Sequence, residues 1–144
     1  MKNKWIIWAV LLYGFILRAN AQGVEFRDLT FQQALELAQQ ENKLVFLDCY
    51  TSWCGPCKNM LNNVFTLPEA GAFMNAAFVC VKFDMEKGEG IDLKKRFNVR
   101  SVPTIFIFRS DGTMQHRLVG GSAWEHFQKR VERGLNEKTS YSYL

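Results

Sequence analysis

The polar and apolar positions of this chain change period several times, and each change marks an element. Thr30 followed by Gln33 has the form of a capping box, and Phe31, Ala34, Leu35 and Ala38 then recur at helical spacing, which predicts a helix to about Glu41. Leu44 to Tyr50 is apolar on both faces apart from Asp48, the pattern of a central parallel strand. Met60, Leu61, Val64 and Phe65 continue a helix that breaks before Pro68, and Glu69 to Ala76 resumes as a short helix. Phe78 to Phe83 reads as a second central strand, Glu86 to Gly90 as a loop, Ile91 to Phe97 as a short amphipathic helix and Val99 to Pro103 as a crossing loop. Asp111-Gly112 between Thr104–Arg109 and Met114–Val119 is a strong hairpin signal. Ser122 with Glu125 predicts a second capping box, opening a helix with Trp124, Phe127 and Val131 on one face. With residues 24–29 as a possible edge strand, the order βαβαβαββα fits an α/β protein, a central mixed β-sheet with helices on both faces.

The first 21 residues follow a different rule. Met1 to Lys4 is basic, Trp5 to Leu17 is a 13-residue apolar run, and Ala19-Asn20-Ala21 is an A-x-A site, together the anatomy of a secretory signal peptide cleaved before Gln22. Thirteen helical residues rise about 20 Å, short of a hydrocarbon core of about 30 Å. The alternative is an uncleaved anchor on the outer side of the inner membrane, which Arg18 beside the run keeps open. The expected organisation is a signal peptide over 1–21, one domain over 22–136 and a polar tail over 137–144.

Export changes the charge. The whole chain carries +4, but Lys2, Lys4 and Arg18 leave with the signal, so the mature form carries +1. Nucleic-acid binding gets no support; Lys94-Lys95-Arg96, the one basic cluster, reads as a solvated helix face, and His116 and His126 read as surface residues.

The chemistry sits in Trp53-Cys54-Gly55-Pro56-Cys57-Lys58, between the first central strand and a helix. A strand followed by a turn and a helix N-terminus aims free N–H groups and partial positive charge at a sulfur, which favours thiolate, the reacting form. Pro56 suits the first helical turn. A bare C-x-x-C leaves zinc, a structural pair and a redox dithiol open, but zinc normally needs a second ligand pair, while Cys49, Cys80 and both histidines stand singly. The redox reading is therefore preferred, with no metal expected. Cys54 is the candidate nucleophile with an exposed sulfur, and Cys57, one turn on, closes the disulfide.

These residues resemble the thioredoxin superfamily. The likeness extends to Asp48 six residues before Cys54, to Lys82 in the next apolar strand, to Phe97-Asn98-Val99-Arg100-Ser101-Val102-Pro103-Thr104 and to Gly120. Lys58 to Val81 is more similar to extracytoplasmic thioredoxin-like domains than to the short cytosolic protein. The resemblance implies the thioredoxin fold, and a protein-disulfide oxidoreductase working without a bound cofactor and as a monomer. It implies that Asp48 is the proton acceptor for Cys57 with Lys82 as its partner. It implies also that Pro103 is cis against the dithiol, and that Trp53, Val102, Pro103 and Thr104 meet an extended substrate by strand-like pairing. Burial alone predicts a raised pKa for Asp48; a merely structural Asp48–Lys82 pair, and a half-buried packing role for Trp53, are the bland alternatives.

Two departures bear on partner choice: Tyr50 stands where thioredoxins usually carry tryptophan, and Ser101 where many carry glycine. The Gly55-Pro56 dipeptide is that of thioredoxin, not the Pro-His of a disulfide-inserting oxidase, so the expected direction is reduction of protein disulfides, with a membrane electron donor recharging the pair. The rival readings are that oxidase, and a redox-inert binding module stapled by Cys54–Cys57. Strand alternation places Cys49 and Cys80 on opposite sheet faces, as buried free thiols.

Overall fold

The computed structural model describes residues 22–136, so the signal segment and the polar tail lie outside the described residues. The elements are α1 (Phe31–Glu41), β1 (Leu44–Tyr50), α2 (Gly55–Asn63), α3 (Pro68–Ala77), β2 (Phe78–Asp84), α4 (Glu89–Arg96), β3 (Thr104–Phe108), β4 (Met114–Val119) and α5 (Trp124–Asn136). The sheet order is β2-β1-β3-β4, with β1–β2 parallel and the other pairs antiparallel.

Local chemistry accounts for the boundaries. At the start of α1 the Thr30 side chain accepts from the Gln33 N–H and the Gln33 side chain accepts from the Thr30 N–H, the reciprocal box the spacing predicts. The far end closes on Asn42 in the left-handed region (φ 52°), which asparagine tolerates. Two boundaries differ from expectation. Helix α4 begins at Glu89, two residues early, because Gly88 at φ 49° turns the chain and Glu89 and Asp92 complement the helix N-terminus. Helix α5 begins at Trp124, and the Ser122 hydroxyl accepts from Arg130 Nη1 at 3.5 Å in place of the expected capping bond. Residues 24–29 form no strand, only an isolated parallel bridge from Phe26 to Cys80.

The sheet separates two cores. Val45, Leu47 and Cys49 of β1 face α1 and α4 with Phe31, Leu35, Leu93, Phe106 and Phe108. Phe46 of the same strand faces α2, α3 and α5 with Met60, Met74, Cys80, Phe127 and Val131. Cys49 and Cys80 are thus buried free thiols on opposite faces, as alternation requires, and burial pushes both thiols far up. His116 is half-buried rather than on the surface, because α5 approaches it at Gly134, where an added Cβ would lie 2.6 Å from the imidazole.

The segment before α1 is tied to the second core. The Val24 N–H donates to the Phe65 carbonyl (2.7 Å), the Glu25 N–H to Asn75 Oδ1 (2.9 Å) and the Arg27 N–H to the Cys80 carbonyl (2.8 Å). The approach is closest at Gly71 of α3, where a Cβ would lie 2.0 Å from the Gln22 carbonyl oxygen.

Candidate active site: a dithiol above a buried carboxylate

Strand β1 ends at Tyr50 and the chain turns through Thr51, Ser52 and Trp53 to Cys54, the N-cap of α2. Pro56 occupies the first turn, where its missing N–H leaves no hydrogen bond unmade. Cys54 and Cys57 are joined as a disulfide with Cα atoms 5.3 Å apart. The Cys57 N–H donates to Cys54 Sγ at 3.2 Å, so a helix-terminal donor addresses this sulfur. That contact also corrects the expected exposure. Cys54 is 2% exposed and Cys57 7%, because ring closure folds the Cys54 side chain back over the first turn of α2.

Below the disulfide lies Asp48. It points to the same sheet face as Phe46, toward α2, and is 6% exposed with Oδ1 lacking a hydrogen-bond partner. Loss of hydration disfavours the carboxylate and raises its pKa from 3.8 to about 7, an effect the positive charge of Lys82 opposes. Lys82 is the register partner of Asp48 on β2. It makes no ion pair with Asp48 at 4 Å or less; among the described residues the three pairs are Glu25–Arg27, Glu41–Lys43 and Asp84–Lys87. The expected Asp48–Lys82 partnership is one of field rather than contact.

A cleft of about 200 Å³ connects these groups, lined by Asp48, Tyr50, Thr51, Cys57, Lys58 and Lys82. Thr51 Oγ1, like Asp48 Oδ1, is buried without a protein partner. Two orphaned oxygens on one cleft are the setting in which water bridges buried polar groups.

Around the dithiol the sequence-predicted residues divide. The Val102–Pro103 bond is cis, the Pro103 carbonyl accepts from the Gly120 N–H (2.9 Å), and Val102 is half-buried. Thr104 is fully buried, and its hydroxyl donates to the Ser101 carbonyl at 2.7 Å. It braces the loop from inside, and Pro103 beside it is buried as well. Trp53 is 66% exposed, not half-buried, and its Nε1–H donates to the Glu86 carboxylate at 3.1 and 3.2 Å. Sequence reasoning missed Glu86; 33 residues of separation leave no local signal for that bond.

Comparison with known proteins agrees with this geometry. The family model for a thioredoxin-like domain matches residues 31–135. A solution structure from Bacteroides thetaiotaomicron, described as a candidate disulphide-isomerase, superposes with a TM-score of 0.73 at 41% identity, covering 83% of this chain and 99% of that one. Thioredoxin-1 of Drosophila yakuba is 37% identical over 95 residues, covering 61% of this chain and 82% of the relative. Chloroplastic thioredoxin Y2 of Arabidopsis thaliana is 31% identical over 109 residues; that stretch covers 76% of this chain and 62% of the relative's length.

Proposed function

The chain belongs to the thioredoxin-like family, and from that premise we propose that it is an exported thiol–disulfide oxidoreductase that reduces protein disulfides through Cys54 and Cys57. The observation that carries the reading is the disulfide at the N-terminus of α2 beside a cleft that also holds a buried carboxylate.

In the reduced protein the Cys54 thiolate attacks one sulfur of a substrate disulfide. The S–S bond breaks, a Cys54–substrate mixed disulfide forms, and the other substrate sulfur leaves as thiolate. The Cys57 N–H that reaches Cys54 Sγ favours the thiolate. Asp48, ionised, takes the proton from the Cys57 thiol across the cleft that both groups line. The Cys57 thiolate then attacks Cys54 Sγ and expels the second substrate thiolate. Two electrons have passed to the substrate, and the Cys54–Cys57 disulfide is the oxidised product. The unengaged Val102 backbone beside the cis bond and the exposed Trp53 ring offer the substrate segment a strand-like partner and an apolar rest.

Three features support the reducing direction. The motif carries Gly-Pro and no histidine, and the Asp48 carboxylate, when ionised, disfavours a very stable thiolate nearby. Export is supported by the basic start, short apolar run and A-x-A site of residues 1–21, and the compartment this reading favours is a periplasm, with the signal cleaved or kept as an anchor. In an oxidising compartment a reductant needs a dithiol donor that draws electrons across the membrane.

The rival module reading has one observation in its favour, the burial of both sulfurs. Two measurements decide among the readings. Turnover in an insulin-reduction assay separates enzyme from module, and absence of turnover with confirmed free thiols sinks the enzyme. A redox titration against glutathione is expected near the thioredoxin value of about −270 mV; a value near −120 mV reverses the direction.

A further inference from the structure

Lys82 Nζ stands 5.3 Å from the centroid of the Phe26 ring and 5.9 Å from that of Tyr50. Both distances lie within the range at which a ring face attracts a cation. The ammonium is thus engaged by two rings on the cleft beside Asp48, with no ion-pair contact to that carboxylate. Tyr50 reaches it from β1, two residues beyond Asp48 and so on the same face. Phe26 reaches it from outside the family-matched residues 31–135. It is fixed there by the bridge to Cys80 and by edge-to-face packing on Phe65 at 5.2 Å.

We propose that Phe26 and Tyr50 are positioning residues, holding the Lys82 ammonium over their rings and off the Asp48 carboxylate, and so setting the pH at which that carboxylate exchanges a proton with Cys57. The inference deepens the proposed function and rests on Asp48 as the proton acceptor. The other titratable or charged groups facing Asp48 are Cys57 and Lys58 from α2, Tyr50 from its own strand, and Cys80 and Asp84 from β2. Opposite it β3 presents Ile105, and α5 presents Phe127 and Val131 to that core, none of which titrates.

The test follows the Asp48 carboxyl carbon by NMR against pH in the oxidised protein, where Cys54 and Cys57 do not titrate. Removing a ring in Phe26→Leu lets the ammonium settle on the carboxylate. An opposite charge at contact favours ionisation, so the midpoint falls by about one pH unit. Phe26→Tyr, which keeps the ring, holds the wild-type midpoint. In a Lys82→Gln background Phe26→Leu leaves the midpoint where Lys82→Gln alone puts it, because the ring acts only through the ammonium. Should Phe26→Leu not fold, Tyr50→Leu removes the other ring and lowers the midpoint in the same direction. A midpoint unmoved or raised by loss of the ring overturns the proposal, and so does an equal shift with and without Lys82. Failure of the wild type to reduce insulin sinks the oxidoreductase reading separately and leaves this titration intact.

Discussion

Replacing Asp48 with asparagine should stabilise the protein, and the gain should depend on pH in a defined way. Between pH 3.8 and about 7 the native carboxyl keeps its proton while the unfolded chain has released it. The native state therefore binds more protons, and wild-type stability falls as pH rises through this window. A rise from 3.8 to about 7, at 1.36 kcal/mol per pH unit, corresponds to about 4 kcal/mol of ionised-state penalty above pH 7. Asp48 is 6% exposed, so solvent screening removes little of this. The amide introduced by Asp48→Asn keeps the shape, carries no charge and escapes the penalty at any pH. Urea unfolding of the oxidised wild type and variant at pH 4.5, 6 and 8 measures the difference. It should be small at pH 4.5, grow through pH 6 and approach about 4 kcal/mol at pH 8. Equal stability at pH 8, or a gap of the same size at pH 4.5 and pH 8, refutes the argument and with it the assignment of Asp48 as a group that titrates near neutrality.

Other expectations follow from the same geometry. Cys57→Ser should accumulate mixed disulfides between Cys54 and its substrates, visible as thiol-sensitive adducts on non-reducing gels, while Cys54→Ser should trap none; a clean Cys57→Ser lane beside an active wild type means the roles are misassigned. Cys49 and Cys80 should resist alkylation in the native protein and react only on unfolding, since they are 0% and 1% exposed on opposite faces of the sheet. A Cys49–Cys80 crosslink in peptide maps would contradict the strand register itself.

What could be read from the sequence was whatever has a short-range signature. The Thr30–Gln33 box spans four residues, the Asp-Gly turn two, and the alternation of β1 assigns Asp48 and Cys49 to opposite faces without any tertiary knowledge. The sulfurs were legible from strand–turn–helix order, the acid from its place in an apolar strand and the lysine from the family resemblance. The contacts that tune them were not. The Glu89 carboxylate accepts from the Phe31 N–H across 58 residues, and Glu86 from Trp53 across 33. The family resemblance pairs Lys82 with Asp48, yet the ammonium lies over two rings that no periodicity pairs with it. Thr104 follows the cis bond in the chain, but being the first residue of β3 it turns wholly inward. The chain passes from exposed Ser101 through half-buried Val102 to buried Pro103 and Thr104, a change finer than pattern reading resolves.

The docking of residues 22–27 bears on how much of the chain the folded body takes in. The family-matched region starts at Phe31, the first residue of α1. The mechanical unit starts earlier, because the Gln22 backbone closes on Gly71 and the Phe26 ring forms a wall of the second core. A fragment cut at the family border would keep all the residues that name the fold. It would also expose the side of β2 at Cys80, the faces of Phe46 and Phe65, and one flank of Lys82. In this molecule the stretch that the family model matches and the unit that folds as a closed body are different lengths of chain.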